Sequence, residues 1–283
     1  METSSPVSDT DAEADGAPTA APAAGADALN AILMADDVAA ALWAAVDSGR
    51  IDDLVPELPL LRMEQDPIHR HKEVLSHTIA VVAKTPNDLI VRLAALFHDV
   101  AKPRTRSFEH GGVTFRHHEV VGARMTRARM TALGYDDEIV DEVSELVRLS
   151  GRFKGYTEGW SDSAVRRYAR DAGPLLGRLN ALIRSDCTTR NKQKEADLQA
   201  AIDELESRIA ALAEEERRAA ERPQIDGQAV MAHLDTPGGQ HIGQILKMLL
   251  EVKRTEGELP EDEIYRRVDL WWEKHRDEYD SAR

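Results

Sequence analysis

The chain has 283 residues, 42% of them hydrophobic, enough for one large or two small domains, and its single cysteine, Cys187, excludes a disulfide framework and fits a reducing compartment. The net charge of −15 argues against a wholesale nucleic-acid binder, but residues 62–192 carry 22 Lys and Arg against 17 Asp and Glu, so a middle of net +5 lies between acidic flanks; it reads first as a solvated surface with acidic linkers and, as the sharper alternative, as a phosphate-facing surface. No stretch approaches the roughly 20 apolar residues of a membrane span, and the N-terminus has neither a basic region nor an apolar run, so a cytoplasmic protein with no signal peptide and no membrane partner is expected.

Residues 1–27 are dominated by Ala, Pro, Ser, Thr, Gly and acid without a basic residue, a composition that cannot offset its ordering entropy and predicts a disordered tail. Residues 28–61 form a short helical lead-in with two amphipathic patterns, Leu29, Ile32 and Leu33, then Val38, Leu42, Val46 and Ile51, before Pro56 and Pro59 break the chain. Pro67 can open a helix that Val74, Ile79, Val81 and Val82 continue. Seven of the ten histidines fall between 69 and 118, and clustered histidines are how metal sites show in sequence. His69 and His71 read as surface residues near a cleft.

The central stretch is Leu93 to Lys102, preceded by Asn87 and Asp88 as caps. Leu93, Leu96, Phe97 and Val100 make one apolar helix face with His98 and Asp99 inside it. Burying an imidazole beside a carboxylate costs several kcal/mol unless something charged pairs them, and a divalent ion is the simplest partner. Pro103 is expected to end this helix. Lys102, four residues past His98, then shares its face and can hold a phosphate oxygen. After a Gly111-Gly112 turn, helices are expected from His117-His118, through Ile139 to Val147, from the Ser161-Asp162-Ser163 cap, and through Leu175 to Asp186. The 4, 3, 4, 3 spacing of Leu198, Ile202, Leu205, Ile209 and Leu212 is that of a coiled-coil seam, which fits either packing on the chain's own domain or a homodimer. Two helices, Ile242 to Leu250 and Ile264 to Trp272, follow Pro223. No useful strand alternation occurs, so the fold class is all-α.

The set His77, His98-Asp99, His118 and Asp186 resembles the HD-domain superfamily of metal-dependent phosphohydrolases. More specifically, Asp66 to Lys72, Ala94 to Val100, Lys102 to Thr105, His118 to Ala123, Thr157 to Gly173 and Asp186 to Asn191 resemble the C-terminal part of bacterial tRNA nucleotidyltransferases, the CCA-adding enzymes of the actinobacterial type. The likeness covers about residues 50–275, with Gly227, Pro237, Gly238 and Gly243 fitting the family's tRNA-contacting tail more loosely. It implies a helical HD bundle over 62–192, a long amphipathic helix over 193–222 and a tRNA-binding-like tail over 223–283. The nucleotidyltransferase head is not expected, because residues 1–49 are too short to hold it. Ser150 and Lys154 stand where the family usually has histidines, and Ala101 replaces a customary glycine.

The resemblance implies that His77, His98, Asp99 and Asp186 converge on one divalent metal ion, Mg, Mn, Co or Ni. Two imidazoles and two carboxylates neutralise a dication and leave positions open for water or phosphate oxygen. His118 is the candidate second-site ligand or general acid, and Lys102 the phosphate-holding cation. Arg104, Arg152, Lys154 and Arg190 are candidate phosphate or RNA contacts, with Lys154 a fixed cation where a second metal would sit. The implied function is hydrolysis of phosphomonoesters or 2′,3′-cyclic phosphates of nucleotides or RNA ends. The alternative is a non-catalytic tRNA-binding module, or one half of a split CCA tRNA nucleotidyltransferase. The partners implied are a phosphorylated nucleotide or RNA end, and tRNA.

Overall fold

The computed structural model describes residues 22–64, 73–109 and 112–280. The expected tail up to residue 21, the Pro67 helix opening, His69 and His71 lie outside them. The chain divides into two units, 1–209 and 210–283.

In the first unit, α1 (Pro22–Leu33) buries Leu29, Ile32 and Leu33 as their spacing predicts. It starts at Pro22, so residues 22–27 are helical rather than part of the tail; Ala26, buried against the core, is one reason. Asp37 caps α2 (Val38–Asp47), and α3 (Arg50–Leu54) follows the left-handed Gly49. α4 (Val74–Lys84) carries His77. Asp88 accepts from the amides of Ile90 and Val91 and so starts α5 (Leu89–Phe97). Every residue of α5 from Ile90 to Phe97 is buried, the pattern of a helix enclosed on all sides, and α4, α8 and α10 pack around it.

α5 ends at Phe97, earlier than the apolar periodicity suggests. The amides of Val100 and Lys102 bond back to the carbonyls of Phe97 and Asp99, the tighter i to i+3 pattern, through a turn at 98–101. Pro103 therefore does not end the His98 helix. It sits in the first turn of α6 (Lys102–Thr105), where a missing N–H costs nothing. A small antiparallel hairpin follows, β1 (Ser107–Glu109) and β2 (Gly112–Thr114), with Phe108 opposite Val113. It is too short to show as alternation in the sequence, and among the described residues it is the only sheet. The architecture is all-α.

α7 (His118–Leu133) packs along α8 (Asp137–Leu149), and α9 (Asp162–Ala172) opens on the Ser161 cap. α10 (Leu176–Asp186) ends on the last site residue. α11 (Lys192–Ala220) runs through the unit boundary. Ile202 and Leu205 of its seam are fully buried within the first unit, where Arg184 of α10 bonds Asp203 and Glu206, so this part of the seam needs no second copy to cover it. The second unit holds α12 (Gly227–Leu234), α13 (Gln240–Glu256) and α14 (Glu261–Asp280), joined by a core of Val230, Ile242, Ile245, Leu249, Ile264 and Val268. α12 adds a third helix to the two expected there; Asp226 caps it by accepting from the Ala229 amide. No helix among the described residues is long and apolar enough to cross a membrane.

Candidate metal centre

Four elements bring one side chain or pair each to a common cleft: α4 gives His77, the turn after α5 gives His98 and Asp99, the start of α7 gives His118, and the end of α10 gives Asp186. The cleft has a volume of about 470 Å³. Ligand atoms of His77, His98 and Asp186 all lie within 4.8 Å of one another, which makes these three a candidate metal site. Asp186 Oδ1 is 2.9 Å from His77 Nε2 and 3.6 Å from His98 Nε2. Asp99 Oδ2 approaches the same two nitrogens from the buried side, at 3.7 and 3.2 Å.

The hydrogen bonds behind the rings fix which nitrogen is available. His98 Nδ1–H donates to the Ala95 carbonyl at 2.7 Å, and His118 Nδ1–H donates to the Phe115 carbonyl at 2.8 Å. In each neutral ring the remaining lone pair is therefore on Nε2, aimed into the cleft. His77 Nδ1 lies 2.8 Å from Thr188 Oγ1, which orients its Nε2 in the same way. His98 Nε2 is buried and has no hydrogen-bond partner. An orphaned, fully shielded imidazole nitrogen costs free energy that a cation would recover. The donor set of two imidazoles and a carboxylate, with a second carboxylate behind, fits a first-row divalent ion.

The electrostatics agree with that fit. Burial alone would lower the pKa of His98, but Asp99 and then Asp186 outweigh it and push it up to about 10. Burial would raise Asp99, but His98 and Lys102 hold it well below the usual carboxylate range. Asp186 is likewise held well below that range by the two imidazoles facing it. The site selects for positive charge. His118 differs: burial lowers its pKa, which keeps it neutral.

Lys102 does not extend along the His98 helix face, because the helix has already ended. It is 6% exposed, its Nζ is 2.7 Å from Asp99 Oδ2, and it lies 5.7 Å from the Phe115 ring centre. It lines the cleft as the partner of a buried carboxylate. Lys154 also lines the cleft, held 3.0 Å from Glu119 Oε1. Arg104, Arg152 and Arg190 do not form part of its wall, and Arg152 is taken up by Asp171. Two positioning residues were not singled out from sequence. Thr188 follows Asp186 by two residues in irregular backbone, where no periodicity marks it. Glu119 reaches His118 Nδ1 at 3.4 Å and has one signal, an acid in the first turn of a helix. Gly151 lets that carboxylate in: a Cβ there would collide with Glu119 Oε1. His117, with φ of 60°, makes the left-handed turn that starts α7 one residue before His118.

The family model described as HD domain matches residues 71–269. A CC-adding tRNA nucleotidyltransferase of Thermus thermophilus is 33% identical over 240 residues, covering 81% of this chain and 52% of the relative. An A-adding tRNA nucleotidyltransferase of Deinococcus radiodurans is 30% identical over 237 residues, 80% of this chain and 53% of the relative. The chain thus spans about half the length of these curated relatives.

Proposed function

The chain belongs to the HD-domain family, and on that premise we propose that it is a metal-dependent phosphohydrolase acting on phosphomonoesters or 2′,3′-cyclic phosphates of nucleotides or RNA ends. The observation that carries the reading is the meeting of His77 from α4, His98 from the turn after α5 and Asp186 from the end of α10 around a buried, unpartnered Nε2. Asp99 completes the ligand set of the reading, and Lys102 neutralises its second demand for charge. A divalent ion there supplies Lewis acidity toward a phosphoryl oxygen and a lowered pKa for water. Two imidazole ligands favour Co, Ni or Mn over Mg, which prefers all-oxygen sites.

The side chains do the rest. Neutral His118, with Nε2 3.6 Å from Asp99 Oδ1, faces the cleft and is the group to hold or move a proton. As the oxygen of water bonds to phosphorus, the ester P–O bond breaks and the departing oxygen takes a proton. Lys154, exposed at the cleft edge, offers an ammonium to the phosphate.

The test is a phosphatase panel with Mg, Mn, Co and Ni, on wild type, Asp99→Ala and Asp186→Asn. Wild type hydrolyses a nucleoside phosphate with at least one of the metals, and both variants lose that activity together with metal uptake. Absence of bindable metal in folded wild type, or full activity in both variants, overturns the reading. A second reading, a tRNA-binding module or half of a split enzyme, is favoured by the fact that both relatives are named for tRNA and align over four-fifths of the chain. A tRNA gel shift that weakens with added salt tests it.

A further inference from the structure

The stretch from Gly151 to Trp160 leaves α8 beside the metal cleft and returns to start α9. It has two sides. One carries Lys154 into the cleft wall, where the ammonium meets Glu119. The other is aromatic: Phe153 stacks on Tyr156 with ring centres 5.3 Å apart, and Trp160 closes on Tyr156 edge-on at 5.2 Å. Phe153 and Tyr156 are buried. A single side chain of α11 grips this aromatic side. Arg208 Nη2 donates to the Trp160 carbonyl at 3.0 Å and to Asp162 Oδ1 at 2.8 Å, and its guanidinium lies 5.9 Å from the Tyr156 ring centre. The Tyr156 hydroxyl donates to Glu204, one turn earlier on α11.

We infer that Arg208 is a positioning residue for phosphate binding: by fixing the aromatic side of this stretch it sets where Lys154 presents its ammonium. The inference rests on the phosphohydrolase reading, in which Lys154 meets the phosphate. Arg208 itself is not part of the cleft wall, so it acts through the backbone. Only Gly155, left-handed with φ of 84°, stands between Lys154 and the anchored Tyr156. The amides of Lys154, Tyr156 and Glu158 bond back to the carbonyls of Gly151, Phe153 and Gly155, and successive tight turns leave little slack. Glu119 holds only the far end of a flexible four-carbon stem, and an exposed pair fixes little unless the backbone beneath it is fixed. Arginine suits the grip because its planar fork meets a carbonyl, a carboxylate and a ring face together.

The variants are Arg208→Gln and Arg208→Lys, Lys154→Ala, and Lys154→Ala combined with Arg208→Gln. Arg208 is partly exposed and away from the candidate metal ligands, so both of its variants should fold. With Mn-loaded protein the substrate is para-nitrophenyl phosphate and the binding probe is inorganic phosphate. In both Arg208 variants KM for the ester and Kd for phosphate rise roughly threefold or more, while kcat and Mn affinity stay close to wild type. In the Lys154→Ala background Arg208→Gln adds nothing, because both changes act through one ammonium. Effects that multiply in the double variant, or KM and Kd unchanged in either folded Arg208 variant, overturn the assignment. A readout without metal or substrate separates it from the phosphohydrolase reading. In metal-free protein Arg208→Gln shifts the amide NMR resonances of Lys154 and Gly155 and leaves those of His77 and Asp186 in place. If wild type does not hydrolyse the ester yet the Lys154 and Gly155 resonances shift in this way, the hydrolase reading fails and the link from Arg208 to Lys154 stands. Resonances that stay unmoved overturn the link whatever the activity.

Discussion

At the scale of residues, the site is governed by which nitrogens carry protons. Asp99 and Asp186 are both held below the usual carboxylate range and stay ionised through mildly acidic solution. Any loss of metal affinity between pH 8 and pH 5 must therefore come from imidazoles taking protons. His98, pushed up to about 10, carries a proton at neutral pH that a metal has to displace, whereas His118 is lowered by burial and gives none up. Adding Mn or Co to the protein in weak buffer at pH 7.5 should release protons. The apparent affinity should fall by roughly tenfold or more on going from pH 8 to pH 5. Titration calorimetry in buffers of different ionisation enthalpy measures both; binding without proton release and flat with pH would contradict the ligand assignment. The sequence exposed only part of this. His98 and Asp99 stood out because an apolar run enclosed them. His77 and Asp186 were reached only through resemblance to a family, because no local pattern encodes that α4 and α10 both flank α5. The backbone carbonyls of Ala95 and Phe115, which decide the tautomers of His98 and His118, leave no sequence signal at all, and Thr188, which meets His77, lies in the stretch Asp186 to Asn191 that carries the resemblance but is marked there by no pattern of its own.

At the scale of elements, the bundle succeeds by letting helices end early and approach closely. In a continuous α-helix His98 and Asp99 would point about 100° apart. The turn that follows α5 lets both face the same cleft, and it hides from periodicity because Val100 and Ala101 are as buried as the helix before them. Helix identity and caps were readable, as with Asp88 and Ser161, whereas this break and the three-residue strands of the hairpin were too short to register. Close approach is clearest at Gly122 on α7, one turn after His118. A Cβ there would lie 3.3 Å from Val147 Cγ1 of α8 and 3.7 Å from both Val100 Cγ1 and Ala101 Cβ of the turn. Gly122→Ala is expected to fold with a small cost. Gly122→Leu has no room, and should cost about 1–3 kcal/mol in urea unfolding by forcing α7 outward. Because α7 carries His118 but none of the three clustered ligands, turnover in this variant should fall further than metal affinity does. Equal losses of both, or none, would show that α7 does not set the position of His118.

At the scale of the whole molecule, every residue of the candidate centre belongs to the first unit, and the second unit has a core of its own. A ligand that binds only the native form stabilises what it touches by RT ln(1 + [L]/Kd), about 2.7 kcal/mol at a hundredfold excess over Kd. That stabilisation spreads through α4, α5 and α10, because these helices and the turn that follows α5 supply the candidate ligands and the three helices pack on one another. The core of Val230, Ile245, Leu249 and Val268 is built from α12, α13 and α14, none of which supplies a candidate ligand. Hydrogen exchange read by mass spectrometry separates the two cases. Saturating Mn or Co should slow exchange in peptides from residues 74–97 and 176–186 by roughly tenfold or more, and leave peptides from 227–234 and 240–256 within error of the metal-free protein. α11 is the informative middle: it runs from Lys192 to Ala220 across the boundary, so protection gained at Ile202 and Leu205 should fade along the helix toward its end. Protection that rose uniformly over both units would mean that they unfold as one cooperative body, and the metal would then be stabilising the second core as strongly as the first.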